Sequence, residues 1–168
     1  ALQRAADYDR LTDLLNRNAF DRILGEKIKL QSATGQPLAV MLIDLDGFKA
    51  INDTFGHLVG DMVLQQMSDR LRETVPEDVV IARWGGDEFV FILPLGSTRS
   101  DVEALWSLLS EAVYKPFLIS GRKLMIHGTA GVEISDEVIG GREIVRRADL
   151  AMYTGKKRAS ATLSFYDA

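Results

Sequence analysis

Six consecutive apolar residues, Leu38 to Ile43, run without a break into a carboxylate, Asp44. A run that short reads as a buried strand, and a buried strand obliges the rest of the chain to supply a sheet and helices to cover it. The chain has 168 residues, of which 46% are hydrophobic and 26% charged, enough for one domain with its own core. It contains no cysteine, which excludes disulfide scaffolds, thiolate metal sites and cysteine nucleophiles. The net charge of -4 gives no basic surface for a nucleic-acid duplex. No apolar run reaches the ~20 residues needed to cross a bilayer. No signal peptide opens the chain. The expectation is a cytoplasmic domain without membrane contact of its own. The chain starts on Ala1 and enters directly on a helix pattern, so residues 1–8 are expected to be the end of an upstream linker helix in a longer protein.

Helical spacing links Phe20, Leu24 and Ile28, with Asn16 placed as an N-cap. Gly60-Asp61 is expected to open a second helix carrying Leu64, Met67 and Leu71. Val79–Trp84 and Phe89–Leu93 read as strands joined at Gly85-Gly86, a dipeptide suited to a hairpin turn with positive φ. Ser100-Asp101-Val102-Glu103 has capping-box spacing ahead of a helix with Leu105, Leu108, Leu109 and Ala112. Strands are expected at Phe117–Ile119 and Lys123–Glu133, a helix from about Arg142, and a last strand over Thr162–Tyr166. From Leu38 the order is β-α-β-β-α-β with a further helix and strand. That order predicts an α/β (α+β) domain with a split βαβ core, its helices on one face of a mainly antiparallel sheet.

Pairing of the first strand beside the hairpin would gather Asp44, Asp87 and Glu88 at one sheet edge. Clustered carboxylates repel unless a hard cation neutralises them, and magnesium prefers one or two carboxylates plus substrate phosphates. Two such ions can stabilise both the attacking and the leaving oxygen of a phosphoryl transfer. The plainer reading of Asp44 and Asp46 is a loop after a strand. Asn52 reads equally as a turn former, and Asp61 as a first-turn helix residue favoured by the dipole. His57 and His127 have no second histidine at ligand spacing, so both read as structural.

Arg83-Trp84-Gly85-Gly86-Asp87-Glu88-Phe89 resembles the signature of the GGDEF family, the diguanylate cyclases. Asp9–Arg17 resembles that family's opening D-x-L-T-x-L-x-N-R. Asp44–Asp53 with Gly56-His57 and Gly60-Asp61 resembles its D-x-D-x-F-K-x-I-N-D…G-H…G-D stretch, and Ala148–Tyr153 its late A-D-x-A-M-Y helix. The resemblance runs from about Asp9 to Tyr166 and implies a palm-like nucleotide-cyclase fold in one domain spanning residues 1–168. It implies joining of two GTP molecules into cyclic di-GMP with release of pyrophosphate, across a homodimer in which each domain holds one GTP.

Carried over by position, the resemblance implies Asp44, Asp87 and the Leu45 backbone carbonyl as holders of Mg²⁺ (or Mn²⁺). Glu88 becomes a further metal ligand or the group that deprotonates the attacking hydroxyl. Asn52 and Asp61 become the guanine readers, Phe48 and Lys49 the loop amides at the triphosphate, Gly85 and Gly86 the close approach to the nucleotide, and Lys156 a phosphate contact. Two positions depart from the family pattern. A late arginine is replaced by Ser160, preceded by Ala159 in place of glycine. The inhibitory product site R-x-x-D falls on Pro76 and Val79, so no product feedback is expected there. These departures leave a second reading open: a weak or inactive GTP-binding regulatory domain. The closing Leu163–Asp167 resembles the lead into an EAL phosphodiesterase domain, and the opening helix implies an upstream sensor domain.

Overall fold

The computed structural model describes residues 6–158 and 162–167. The expectations for Ala1–Ala5, Ala159 and Ser160 lie outside these residues. Helix α1 spans Arg17–Thr34, capped by the Asn16 side chain, which accepts the Ala19 N–H at 2.9 Å, and closed by Gly35 at φ 70°. Strand β1 spans Leu38–Asp46, followed by helices α2 (Phe48–Phe55) and α3 (His57–Thr74). The hairpin strands are β2 (Val80–Gly85) and β3 (Glu88–Ile92). Helix α4 (Arg99–Tyr114), a small β4/β5 hairpin (Phe117–Ile119, Arg122–Leu124), β6 (His127–Ser135), α5 (Gly141–Lys157) and β7 (Leu163–Phe165) complete the chain.

The main sheet has the order β2-β3-β1-β6-β7, antiparallel except for the β6–β7 pair. The split βαβ core is therefore as expected: β1 and β2 are separated by β3, and β3 and β6 by β1. The helices are not on one face. Ala39, Met41, Ile43 and Leu45 pack with residues of α3 and α4, while Leu38, Val40 and Leu42 pack with Phe20 and Leu24 of α1 and Ile144 and Ala148 of α5. Successive side chains of a strand point to opposite faces, so a continuous apolar run needs a cover on each. The two layers together bury the domain's core.

Several boundaries differ from expectation, each for a local reason. Strand β1 continues past Ile43 to Asp46 because β6 pairs with it as far as the Asp46–His127 position. Gly47, at φ 82°, turns the chain directly into α2, a helix the sequence reading passed over. Helix α3 starts at His57, so Gly60 and Asp61 lie inside it, and Asp61 is past the first turn where a dipole contact would act. The capping box belongs to Thr98 and Asp101, two residues earlier than expected: the Asp101 N–H donates to Thr98 Oγ1 at 3.2 Å, and the Thr98 N–H to Asp101 Oδ2 at 2.8 Å. Leu108, expected on the core face, is 52% exposed, and Trp106 is buried instead. The Lys123–Glu133 run divides between β5, which pairs only with β4, and β6.

Candidate active site

In β1 the side chain of Asp44 follows Leu42 on the α1/α5 face, and its backbone lies opposite Glu88 of β3. The Leu45 N–H donates to the Asp87 carbonyl at 3.2 Å, tying the strand end to the hairpin. Gly85 pairs with Glu88, so the two-residue turn is Gly86-Asp87 rather than Gly85-Gly86, and only Gly86 takes a positive φ, 49°. Asp87 thus sits in the turn itself, beside the end of β1. The hairpin brings Asp44, Asp87 and Glu88 to one end of the sheet, where the interior strands β1 and β3 meet the turn.

Lys156, in the last turn of α5, pairs with Asp44 and lies 3.4 Å from Asp46 Oδ1. Thr129 Oγ1 donates to the second Asp46 oxygen at 2.5 Å. Burial lowers the affinity of Lys156 for its proton, but its hydrogen bonds and charge contacts with Asp44 and Asp46 outweigh that and raise its pKa. Burial, then the Asp44 charge, pushes the Asp87 carboxyl above the usual carboxylate range. Burial, followed by the charges of Asp44, Asp149 and Asp87, does the same to Glu88.

Among the described residues no three His, Cys, Asp or Glu side chains form a cage able to hold a metal unaided. The donors nevertheless fit magnesium, which completes its shell with water and substrate phosphates. Asp44 Oδ1 is buried and has no hydrogen-bond partner, a costly state for a carboxylate oxygen that an added cation would relieve. A cation there would also offset the crowding felt by Asp87 and Glu88.

A second polar group lies on the other face of the sheet, where α2 meets α3. Asn52 Oδ1 is also buried without a partner. Gly60 makes room for it: a Cβ at Gly60 would stand 1.7 Å from Asn52 Oδ1 and 3.3 Å from Phe48 Cζ. Asp61, one residue further along α3, is exposed. The Phe48 ring is buried in the core, so only its backbone is available to a ligand, whereas Lys49 is exposed. Helix α2 begins after Gly47 with no side-chain cap, leaving its first N–H groups free to meet an anion. Gly60→Ala is expected to displace the Asn52 carboxamide and weaken GTP binding at least about tenfold, as for a lost buried polar contact. Calorimetric titration with GTP, alongside thermal unfolding to confirm the fold, checks this.

Sequence reasoning passed over the brace behind the hairpin. Asp9 accepts hydrogen bonds from the Thr12 backbone N–H (2.9 Å) and hydroxyl (2.8 Å) and from Arg83 (3.1 Å). Arg83 in turn donates to the Gly86 carbonyl at 2.9 Å, inside the turn that carries Asp87. Both residues stood in the quoted motifs, but pairing across more than seventy positions leaves no local signal. Asp149, which faces Glu88 electrostatically, was likewise unassigned. Trp84 caps the α1 side of the core edge-on to Phe20, with ring centroids 5.6 Å apart. His57 and His127 are exposed, and the His127 ring lies 4.6 Å from that of Tyr114.

At the R-x-x-D position, Pro76 and Val79 line an apolar cavity of about 430 Å³ with Leu93, Leu105 and Leu108. The charged residues of its wall are Asp78 and Asp101, so nothing there attracts a cyclic dinucleotide with two phosphates. Titration with cyclic di-GMP is expected to leave the amide resonances of Asp78 and Val79 unmoved in a ¹⁵N NMR spectrum.

A family model described as diguanylate cyclase, GGDEF domain matches residues 6–162. The diguanylate cyclase DgcP of Pseudomonas aeruginosa is 36% identical over 149 residues, which are 89% of this chain and 22% of that protein. The cyclic di-GMP phosphodiesterase NbdA of the same organism is 32% identical over 167 residues, 99% of this chain and 21% of that protein. The chain thus spans about a fifth of the length of these relatives. The crystal structure of the diguanylate cyclase SiaD with its activator SiaC, also from P. aeruginosa, superposes with a TM-score of 0.90 at 28% identity, covering 98% of this chain and 63% of that one.

Proposed function

The chain belongs to the GGDEF family, and from that premise we propose that it is a diguanylate cyclase, joining two GTP molecules into cyclic di-GMP with release of pyrophosphate. The observation that carries this reading is the meeting of Asp44, Asp87 and Glu88 at one end of the sheet, with an unpartnered buried oxygen on Asp44. Asn52 and Asp61 hold the guanine: a carboxylate accepts its two neighbouring N–H donors, and the Asn52 side-chain NH₂ donates to one of the remaining ring acceptors. Adenine would leave these groups unpaired. The backbone of Phe48 and Lys49 faces the triphosphate, and the backbones of Gly85 and Gly86 allow the nucleotide close approach. Lys156 exchanges its carboxylate partners for phosphate oxygens.

Asp44 and Asp87, with the Leu45 carbonyl, would hold Mg²⁺ or Mn²⁺, and Glu88 stands as an additional ligand. When bound, the metal polarises the α-phosphate and stabilises the developing charge. Glu88, whose proton affinity burial and the neighbouring carboxylate charges raise, takes the proton from the attacking 3′-hydroxyl. That hydroxyl belongs to a GTP on a second copy of the domain, so a homodimer is the working unit. We propose residues 1–168 as one domain, with an upstream sensor domain as a partner and, under the regulatory reading below, a downstream EAL domain. No described helix is long and apolar enough to cross a membrane, and dependence on GTP suits the cytoplasm.

A GTP-binding regulatory role is the second reading. It is favoured by the engagement of Lys156 with Asp44 and Asp46 and by the apolar wall at Pro76 and Val79. Incubation with GTP and Mg²⁺ separates the two: a cyclase yields cyclic di-GMP, and a regulator binds GTP and returns it unchanged.

A further inference from the structure

Between α1 and α5, on the face of the sheet opposite Asn52, lies an open cavity of about 810 Å³ that Glu88 also lines. Its volume falls in the ~300–1,000 Å³ range of small-molecule sites. Trp84 lines it, with the Arg17 guanidinium stacked 3.9 Å from the ring centroid. Asp21 on the α1 wall and Arg142 on the α5 wall form no hydrogen bond or ion pair among the described residues. Gly25, in the middle of α1, lines the same space, and a Cβ there would meet nothing within 4 Å. A mid-helix glycine costs about 1 kcal/mol relative to alanine. No packing contact demands this one, and its local effect is to keep the cavity wide.

We propose that this cavity is a second nucleotide site, separate from the Asn52/Asp61 pocket, that takes a guanine base. Guanine presents two adjacent N–H donors on one edge and the O6 and N7 acceptors on another. A free carboxylate and a free guanidinium on facing walls match that pattern, and the stacked Arg17–Trp84 pair offers a flat cationic surface to the ring. Adenine replaces the O6 acceptor with an amino donor and sets that amino group against Arg142. Because Glu88 lines the same cavity, a base bound there crowds the carboxylate assigned to the attacking hydroxyl, so occupancy slows synthesis. Binding at this cavity is independent of the proposed activity; only the effect of occupancy on synthesis rests on that reading.

Guanosine, which lacks phosphate and needs no metal, is the probe. In ¹⁵N NMR titrations it is expected to shift the Trp84 indole and the Gly141 amide, with adenosine binding at least about tenfold more weakly. Gly25→Met, which fills the space and favours the helix, and Asp21→Asn, a surface change, are each expected to weaken those shifts at least about tenfold. Parallel titrations with GTP and with cyclic di-GMP show which nucleotide supplies the base: the one that shifts Trp84 at the lower concentration. The proposal is overturned if guanosine moves only the Asn52–Asp61 segment, if adenosine binds equally, or if both variants bind as the parent chain does. Failure of the chain to make cyclic di-GMP would count against the proposed function alone, since the guanosine shifts are read without turnover.

Discussion

Glu88→Gln is expected to lower the rate of cyclic di-GMP formation about 10²–10⁴-fold, the usual contribution of a positioned general base, with no loss of stability. Glutamine keeps the length and shape of the side chain but cannot take a proton. Its neutrality removes a charge that burial and the neighbouring Asp44, Asp149 and Asp87 all disfavour. The variant should therefore unfold at the same temperature as the parent or slightly above it, a trade of stability for function that is common at active sites. Initial rates with GTP and Mg²⁺, read beside thermal melts, check both halves. Activity within tenfold of the parent would show that another group accepts the proton.

The largest stability effect is expected from Gly131→Ala. A Cβ at this β6 position would stand 2.2 Å from the Ala148 carbonyl oxygen and 2.3 Å from the Met152 nitrogen. Both are backbone atoms of α5, so no rotamer change relieves the clash, and the helix must lift from the sheet. Overpacking of this kind costs about 1–3 kcal/mol. For a domain of this size that lowers the melting temperature by roughly 2–12 °C. Lifting α5 also draws Lys156 away from Asp44 and Asp46 and weakens the hold on phosphate. A melting temperature within about 2 °C of the parent would contradict the close approach of α5 to β6.

Much of this was legible in the chain itself, for physical reasons. The run from Leu38 to Ile43 announces a central strand because only burial tolerates such continuity, and Asn16 announces a helix start because its side chain replaces a missing backbone acceptor. The same run also carried the evidence that both faces are covered, which the one-face expectation overlooked. The reach of β1 to Asp46 is set by pairing with β6, more than eighty residues away, and no local pattern encodes it. The short α2 was hidden because Asp46-Gly47 reads as a turn, yet Gly47 in the left-handed region is what admits the helix. The carboxylates of the site were legible by type and order. Their companions Asp9, Thr129 and Asp149 were not, because each reaches the site only through the folded sheet.

Asp44 and Asp87, with Glu88 beside them, are proposed to hold divalent metal with the phosphates of GTP and so permit condensation. Mass spectrometry of the products formed from GTP tests it most directly, with Mg²⁺ present or withheld and with Asp44→Asn as a control. The expected result is cyclic di-GMP with two pyrophosphates per product molecule when Mg²⁺ is present, and neither when it is withheld or when Asp44 is replaced. A chain that binds GTP and dimerises, yet returns the nucleotide unchanged in Mg²⁺ and in Mn²⁺, would contradict it.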